Sequence, residues 1–160
     1  KGYDWIGQSQ INWYTRESQK YTEQNGGQPL PALAFLHIPL PEYTQAWESF
    51  DTKRYGDRNE KECSPNINSG MFTQMLECGD VMGIFAGHDH VNDYIATLYN
   101  IALGYGRASG GKNTYGDKTP GSRMIVLKEG KREFDTWLRE KENTEKLNAC
   151  TYPDSFVKKK

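Results

Sequence analysis

Two short apolar runs limit what this chain can fold into more than any other feature of its sequence. The first, "ALAFLHI" at residues 32–38, lies between prolines, and the second, "VMGIFAG" at residues 81–87, follows a helical pattern. Continuous apolar runs of this length are typical of strands that are buried on both faces. A sheet of such strands needs a further layer on each side. The two runs therefore predict a layered α/β fold.

The segments around the two runs complete the expected arrangement. Three of them have helical patterns: residues 7–27, 42–50 and 68–80. Two have the alternation and turn residues of hairpins: residues 94–106 and 123–140. Ser9 is the expected N-cap of the first helix, and Tyr99 and Asn100 are the expected turn of the first hairpin. We expect a largely buried mixed sheet with flanking helices.

The length of the chain, 160 residues, suits one domain with one sizeable core. We expect residues 1–141 to form that domain. Residues 142–160 carry few apolar side chains, and we expect them to form a peripheral polar tail. The chain begins without a methionine, so the lack of a visible signal peptide says little about the compartment.

Charge and cysteine content narrow the possible partners. Lys plus Arg number 20 and Asp plus Glu number 21, so there is no basic field to indicate nucleic acid. No stretch approaches the roughly 20 apolar residues of a membrane span. Cys63, Cys78 and Cys150 contain no Cys-x-x-Cys pair, which gives no zinc or thioredoxin-like motif. One disulfide with a free thiol and three reduced thiols both remain open, and Cys63 could bridge to Cys78 in an exported protein.

All three histidines of the chain follow the two apolar runs. His37 closes the first run, while His88 and His90 come directly after the second, in "GHDH". In open α/β sheets, ligands collect beyond the carboxyl ends of the strands. His37 and His88 are 51 residues apart (88 − 37). Adjacent strands would nevertheless bring them together.

Imidazole suits Zn, Fe, Mn and Ni, so the histidines predict a transition-metal site. The pair His88 and His90 can serve one metal when the chain is extended, or two neighbouring metals when it turns. A single catalytic site with three histidines and an open position is another possibility. The remaining alternative is that the histidines are ordinary residues at strand ends, hydrogen-bonded to the backbone.

Four other residues are candidates for orienting the histidines or touching a substrate. Asp89 lies between His88 and His90, and Asp93 follows soon after; either is a candidate for orienting a histidine, although turn aspartates commonly bond to nearby backbone. Glu42 follows His37 after two prolines, and we treat it as a substrate candidate. Arg107 lies in the glycine-rich "GYGRASGGKNTYG" with Lys112 and is a candidate for gripping phosphate.

The strings "LHIPLPEY", "NSGMF", "GHDHVNDY" and "GYGRASGG" make the chain resemble the calcineurin-like metallophosphoesterases. The resemblance runs from about Gly2 to Arg139 and is to the C-terminal half of the purple-acid-phosphatase-like branch. It implies the corresponding half of an αββα sandwich and a dinuclear centre of Fe, Mn or Zn that hydrolyses phosphate esters. His37 and His88 match ligands of one metal, and His90 matches a ligand of the other.

The family motifs Asp-x-His, Gly-Asp-x-x-Asp and Gly-Asn-His-Asp/Glu do not precede His37 in this chain. The bridging aspartate, the metal-binding asparagine and the leaving-group histidine are therefore missing. We expect the chain alone to be inactive, and it need not bind either metal. The alternative function is a non-catalytic module that binds phosphate-bearing ligands or a partner protein. We also expect an open apolar face that makes the chain self-associate.

Overall fold

A computed structural model describes residues 2–110 and 116–157. Its three α-helices are α1 (Gln8–Gln24), α2 (Glu42–Glu48) and α3 (Met71–Cys78). Its seven strands are β1 (Ala32–Phe35), β2 (Val81–Ala86), β3 (Ile95–Leu98), β4 (Ile101–Tyr105), β5 (Gly121–Leu127), β6 (Phe134–Glu140) and β7 (Leu147–Tyr152). A short 3₁₀ helix, Asp154–Phe156, follows β7. Lys112, a candidate of the glycine-rich stretch, lies outside the described residues.

The first sheet has the order β1-β2-β4-β3. Strands β1, β2 and β4 are parallel, and β3 returns antiparallel to β4. The predicted hairpin turn at Tyr99 and Asn100 is confirmed: their φ angles are 45° and 62°, as a tight two-residue hairpin turn requires. Every residue of β2 is buried, which confirms the prediction for the second apolar run. The carboxyl ends of the three parallel strands meet at one edge of this sheet.

The helices cover one face of the first sheet, and a second sheet covers the other. Ile84 of β2 belongs to a core with side chains of all three helices. Phe85, its neighbour, belongs to a second core with Phe134 of β6, and the two rings lie 5.7 Å apart. The second sheet is antiparallel, in the order β5-β6-β7. The predicted α/β fold with a mixed sheet and flanking helices is confirmed.

The expected polar tail is corrected by the second sheet. Residues 147–152 form β7, which pairs with β6, and Cys150, Tyr152 and Phe156 are buried in the core between the sheets. Backbone pairing needs no continuous apolar run, so three inward side chains suffice to fix this segment. The low number of apolar residues in this segment led to the prediction of a polar tail, and for residues 147–156 that prediction is wrong.

Two local expectations are also corrected. Strand β1 is not buried on both faces, because its Phe35 side chain is 67% exposed; it is also an edge strand of its sheet. The N-cap of α1 is Gly7 rather than Ser9, since the Gly7 carbonyl accepts the first helical hydrogen bond from Ile11. Cys63, Cys78 and Cys150 are all free thiols. Among the described residues, no helix is long and apolar enough to cross a membrane.

Candidate metal centre

His37 and His88 meet at the edge where the parallel strands end. His37 lies just past β1 and His88 just past β2, and the two segments stay joined beyond the strands because Gly87 N donates to His37 O at 3.1 Å. Nδ1 of His88 lies 3.3 Å from Nε2 of His37, with the rings edge to face. We call these two residues the histidine pair. Their meeting is the arrangement that parallel neighbouring strands predict.

The spacing of the histidine pair suits a single metal ion. The two ring nitrogens, 3.3 Å apart, are close enough together that both could hold one ion such as zinc, for which imidazole nitrogen is a common ligand. His37 is exposed and His88 is half-buried, so the ion would remain open to solvent and substrate. The donor set therefore fits a transition metal that prefers imidazole.

The structure does not gather a complete metal cage. His90 lies two residues beyond His88 on the turn and is exposed. Within residues 2–110 and 116–157, no group of three or more His, Cys, Asp or Glu side chains is close enough to hold a metal ion. The described residues thus provide a two-nitrogen site at the histidine pair, with His90 nearby in sequence.

Asp89 is buried and holds a loop. Its carboxylate accepts the hydroxyl of Tyr105 at 2.5 Å and the backbone N–H of Cys63 at 3.2 Å. Burial, followed by the hydrogen bond to Asp89, raises the pKa of Tyr105, so the hydroxyl stays protonated as a donor. Burial and the Asp89 charge also raise the pKa of the Cys63 thiol.

Asn92 and Asp93 fasten the same loop, residues 57–63. Asn92 Oδ1 accepts the backbone N–H groups of Asn59 at 2.8 Å and Glu60 at 3.0 Å. Asp93 Oδ1 accepts the N–H of Asp57 at 2.8 Å. All three side chains of this set, Asp89, Asn92 and Asp93, are buried. We call them the polar clamp.

Arg107 faces inward instead of lying free at the mouth of the site. Its Nε donates to Thr119 O at 2.9 Å, and its two terminal nitrogens pair with Asp93 and Glu140. Lys118 also pairs with Asp93. The structure therefore gives Arg107 and Asp93 partners in an internal ion-pair network.

Glu42, the other substrate candidate, is buried at the start of α2. Its Oε1 accepts Asn68 Nδ2 at 2.6 Å. Its Oε2 is buried without a hydrogen-bond partner among the described residues. The structure does not place Glu42 with the histidine pair.

Two aromatic residues next to the site escaped the sequence reasoning. The Tyr3 ring meets the His88 ring edge to face, with the ring centres 4.4 Å apart. Tyr105 reaches the site through Asp89. Tyr3 lies far along the chain from His88, and Tyr105 lies in "GYGRASGG", whose pattern does not indicate that its hydroxyl reaches Asp89, 16 residues away. Only the folded arrangement reveals them.

Comparison with known proteins places the chain in a family. No family model matches it. It is 44% identical over 114 residues to probable inactive purple acid phosphatase 14 of Arabidopsis thaliana, covering 68% of this chain and 28% of that protein. It is 37% identical over 147 residues to probable inactive purple acid phosphatase 29 of the same plant, covering 86% of this chain and 36% of that protein.

A further relative comes from yeast. Phosphatase DCR2 of Saccharomyces cerevisiae is 32% identical over 159 residues, covering 86% of this chain and 25% of that protein. The chain thus spans between a quarter and just over a third of the length of these relatives. The similar stretch includes the greater part of this chain in each comparison. The chain belongs to the purple acid phosphatase-like family.

Proposed function

We propose that this chain contributes part of a dinuclear metal centre to a hydrolase of phosphate mono- or diesters. The observation that carries the proposal is the histidine pair, 3.3 Å apart at the ends of two parallel strands, in a chain of a phosphatase family. His37 and His88 would hold one metal and His90 would help to hold the other. Two ions such as Fe, Mn or Zn would lower the pKa of a bound water and neutralise phosphate oxygens.

The protein supplies the placement of these ligands. Strand β2 delivers His88 to the sheet edge, and β1 delivers His37 beside it. The polar clamp fixes the turn that carries His88 and His90 against residues 57–63. Solvent reaches the exposed His37 and His90, so a phosphate ester could approach from the same side.

Metal content and hydrolysis of 4-nitrophenyl phosphate test the proposal together. They are measured on the 160-residue chain and on a longer form of the length of the relatives. We expect the longer form to hold about two metals per chain and to hydrolyse the ester, while the 160-residue chain does not hydrolyse it. His37→Ala and His88→Ala in the longer form should each remove both properties.

Gln28→Ala provides the matched control, because Gln28 is exposed and lies outside the histidine pair and the polar clamp. This variant should keep the metal content and activity of the longer form. If His37→Ala and His88→Ala both kept the metal content and the hydrolysis, the assignment of these residues as ligands would be wrong. A longer form without metal and without hydrolysis would contradict the enzyme itself.

The names of two relatives favour a second candidate function. Both Arabidopsis proteins are named as probable inactive phosphatases. A non-catalytic module that binds phosphate-bearing ligands or a partner protein would share the fold without the chemistry. Calorimetric binding of inorganic phosphate by the longer form, without any hydrolysis, would support this candidate.

A further inference from the structure

The backbone at His88 is held in an unfavourable conformation. Its φ angle is 69°, in the left-handed region that residues with a Cβ rarely adopt. The turn is tight, since Asp89 N donates to Gly87 O at 2.8 Å. A strained residue keeps such a conformation only where its surroundings fix it. The turn matters because it aims the His88 ring at His37, 3.3 Å away.

The next residue along the chain fixes this turn. Asp89 is 6% exposed, and its carboxylate receives two hydrogen bonds, from the Tyr105 hydroxyl and from the Cys63 N–H. A charged acceptor makes each bond stronger than a neutral one. The Asp89 side chain therefore cannot swing out without leaving the Tyr105 hydroxyl and the Cys63 N–H without their acceptor.

Of the two donors to Asp89, the Tyr105 hydroxyl is the one held by the core. It is fully buried at the end of β4, and its ring packs edge to face against Tyr43 and Tyr94, each 5.0 Å away. Its backbone is also fixed, because its N–H donates to Tyr94 O at 2.8 Å and its carbonyl accepts Arg123 Nε at 2.5 Å. The Tyr105 hydroxyl thus presents a rigid donor to Asp89.

We propose that Tyr105 is a positioning residue for the candidate metal centre: through Asp89, its hydroxyl fixes the left-handed turn at His88 and so the spacing between His88 and His37. The consequence for metal binding rests on the proposed function. The spacing itself is a property of the described chain and is measurable without any metal.

Tyr105→Phe in the 160-residue chain removes the hydroxyl and keeps the ring. The readout is the imidazole nitrogen spectrum of His37 and His88, recorded by NMR. Wild type should show the signature of an N–H···N hydrogen bond between the two rings, and Tyr105→Phe should lose it. In the longer form, the same variant should weaken Co²⁺ binding about 10-fold, the low end for groups that act behind a ligand.

Two further variants separate positioning from general stability. Tyr43→Phe removes a hydroxyl that is equally buried in the same tyrosine cluster but donates to the carbonyls of Ile84 and Gly104. It should leave the histidine signature and the Co²⁺ affinity unchanged. Asp89→Asn retains a carbonyl oxygen for the Tyr105 hydroxyl and should keep the signature, whereas Asp89→Ala should lose it.

The outcomes distinguish this proposal from the proposed function. If Tyr105→Phe and Asp89→Ala both keep the wild-type signature, the positioning role is wrong, whatever the longer form binds. If both lose it while Tyr43→Phe and Asp89→Asn keep it, the positioning role stands. Should the longer form then bind no Co²⁺, the proposed function fails and the positioning of the histidine pair remains.

Discussion

The polar clamp and the outer edge of β1 differ in how far the chain itself covers them. The polar side chains of the clamp are buried and hydrogen-bonded, whereas apolar side chains at the β1 edge are exposed to solvent. Asp89, Asn92 and Asp93 are at most 6% exposed, and each accepts backbone N–H groups from residues 57–63. Strand β1 is an edge strand of its sheet, and its Phe35 side chain is 67% exposed. Between β1, α1 and α3 lies a groove of about 730 Å³. Its exposed apolar lining includes Trp13, Tyr21 and Leu30.

This contrast separates a region whose contacts are completed within the chain from a region whose apolar surface is left exposed. Around the histidine pair, buried polar groups find partners within the chain, so the local geometry is closed. Along the outer edge of β1, which we call the open edge, apolar surface faces solvent among the described residues. Substitutions in the polar clamp should therefore cost stability, while substitutions at the open edge should change association instead.

The largest effect on stability is expected at Asn92. Asn92→Ala removes the acceptor of two backbone N–H groups and the donor to Glu60 O at 3.0 Å, and so leaves buried polar groups without partners. Such a loss lowers the free energy of unfolding by about 3 kcal/mol. Urea unfolding followed by circular dichroism measures it.

Asn59→Ala is the matched control, because Asn59 lies in the same loop but is exposed and its side chain donates one hydrogen bond, to Val91 O at 2.9 Å. We expect it to cost less than about 1 kcal/mol. Equal losses of unfolding free energy for the two variants would mean that the buried hydrogen bonds of Asn92 stabilise the fold no more than the exposed one of Asn59.

The sequence was sufficient to predict the meeting of His37 and His88, although not the clamp behind them. The two apolar runs predicted two buried strands that each end in a histidine, and adjacency in one sheet, which the structure shows as parallel pairing, brings those ends together. The partners of Asp89, by contrast, are Tyr105 and the backbone of Cys63. No local pattern marks either contact, because both depend on how distant segments pack.

The exposure of Phe35 and the position of β7 escaped prediction for a related reason. An apolar run indicates a strand but does not show whether a second strand pairs with its other edge. The sequence patterns of β1 and β2 are therefore alike, although β1 is an edge strand and β2 is internal. Strand β7 is held by backbone pairing and a few inward side chains such as Tyr152. Periodicity detects neither circumstance.

A pH-dependent effect of intermediate size is expected at Glu62, in the clamped loop. Burial by itself raises the pKa of this carboxyl, but hydrogen bonds from Arg58 and from Tyr94 at 2.7 Å outweigh it and lower the pKa overall. Its charge therefore stabilises the fold fully above the ordinary pKa of 4.5, and this contribution is lost as the pH falls through the lower folded-state pKa.

Glu62→Gln should cost about 2 kcal/mol at pH 7, and the difference from wild type should shrink below pH 4.5. Urea unfolding at pH 7, 4.5 and 3 measures it. Glu133→Gln is the control: the pKa of Glu133 is also lowered, chiefly by its hydrogen bond from Lys128, but it lies in a solvent-exposed hairpin. A Glu62→Gln difference that stays constant with pH would contradict the argument.

The smallest effect on stability, and the sharpest test of the open edge, is expected at Phe35. The unpaired edge of β1 beside an exposed aromatic ring favours pairing with a second copy of the chain, so wild type should self-associate as its concentration rises. Phe35→Lys should change the free energy of unfolding by less than about 1 kcal/mol, because the side chain is already 67% exposed and loses only a stacked contact with Phe85, at 5.7 Å between ring centres. It should also shift the mass measured by light scattering towards the monomer. Leu127→Lys provides the control, since Leu127 is 59% exposed on β5, an edge strand of the other sheet. If both lysine variants reduce association equally, general surface charge is responsible and the β1 edge has no special role; a monomeric wild type at every concentration would mean that the open edge does not drive self-association.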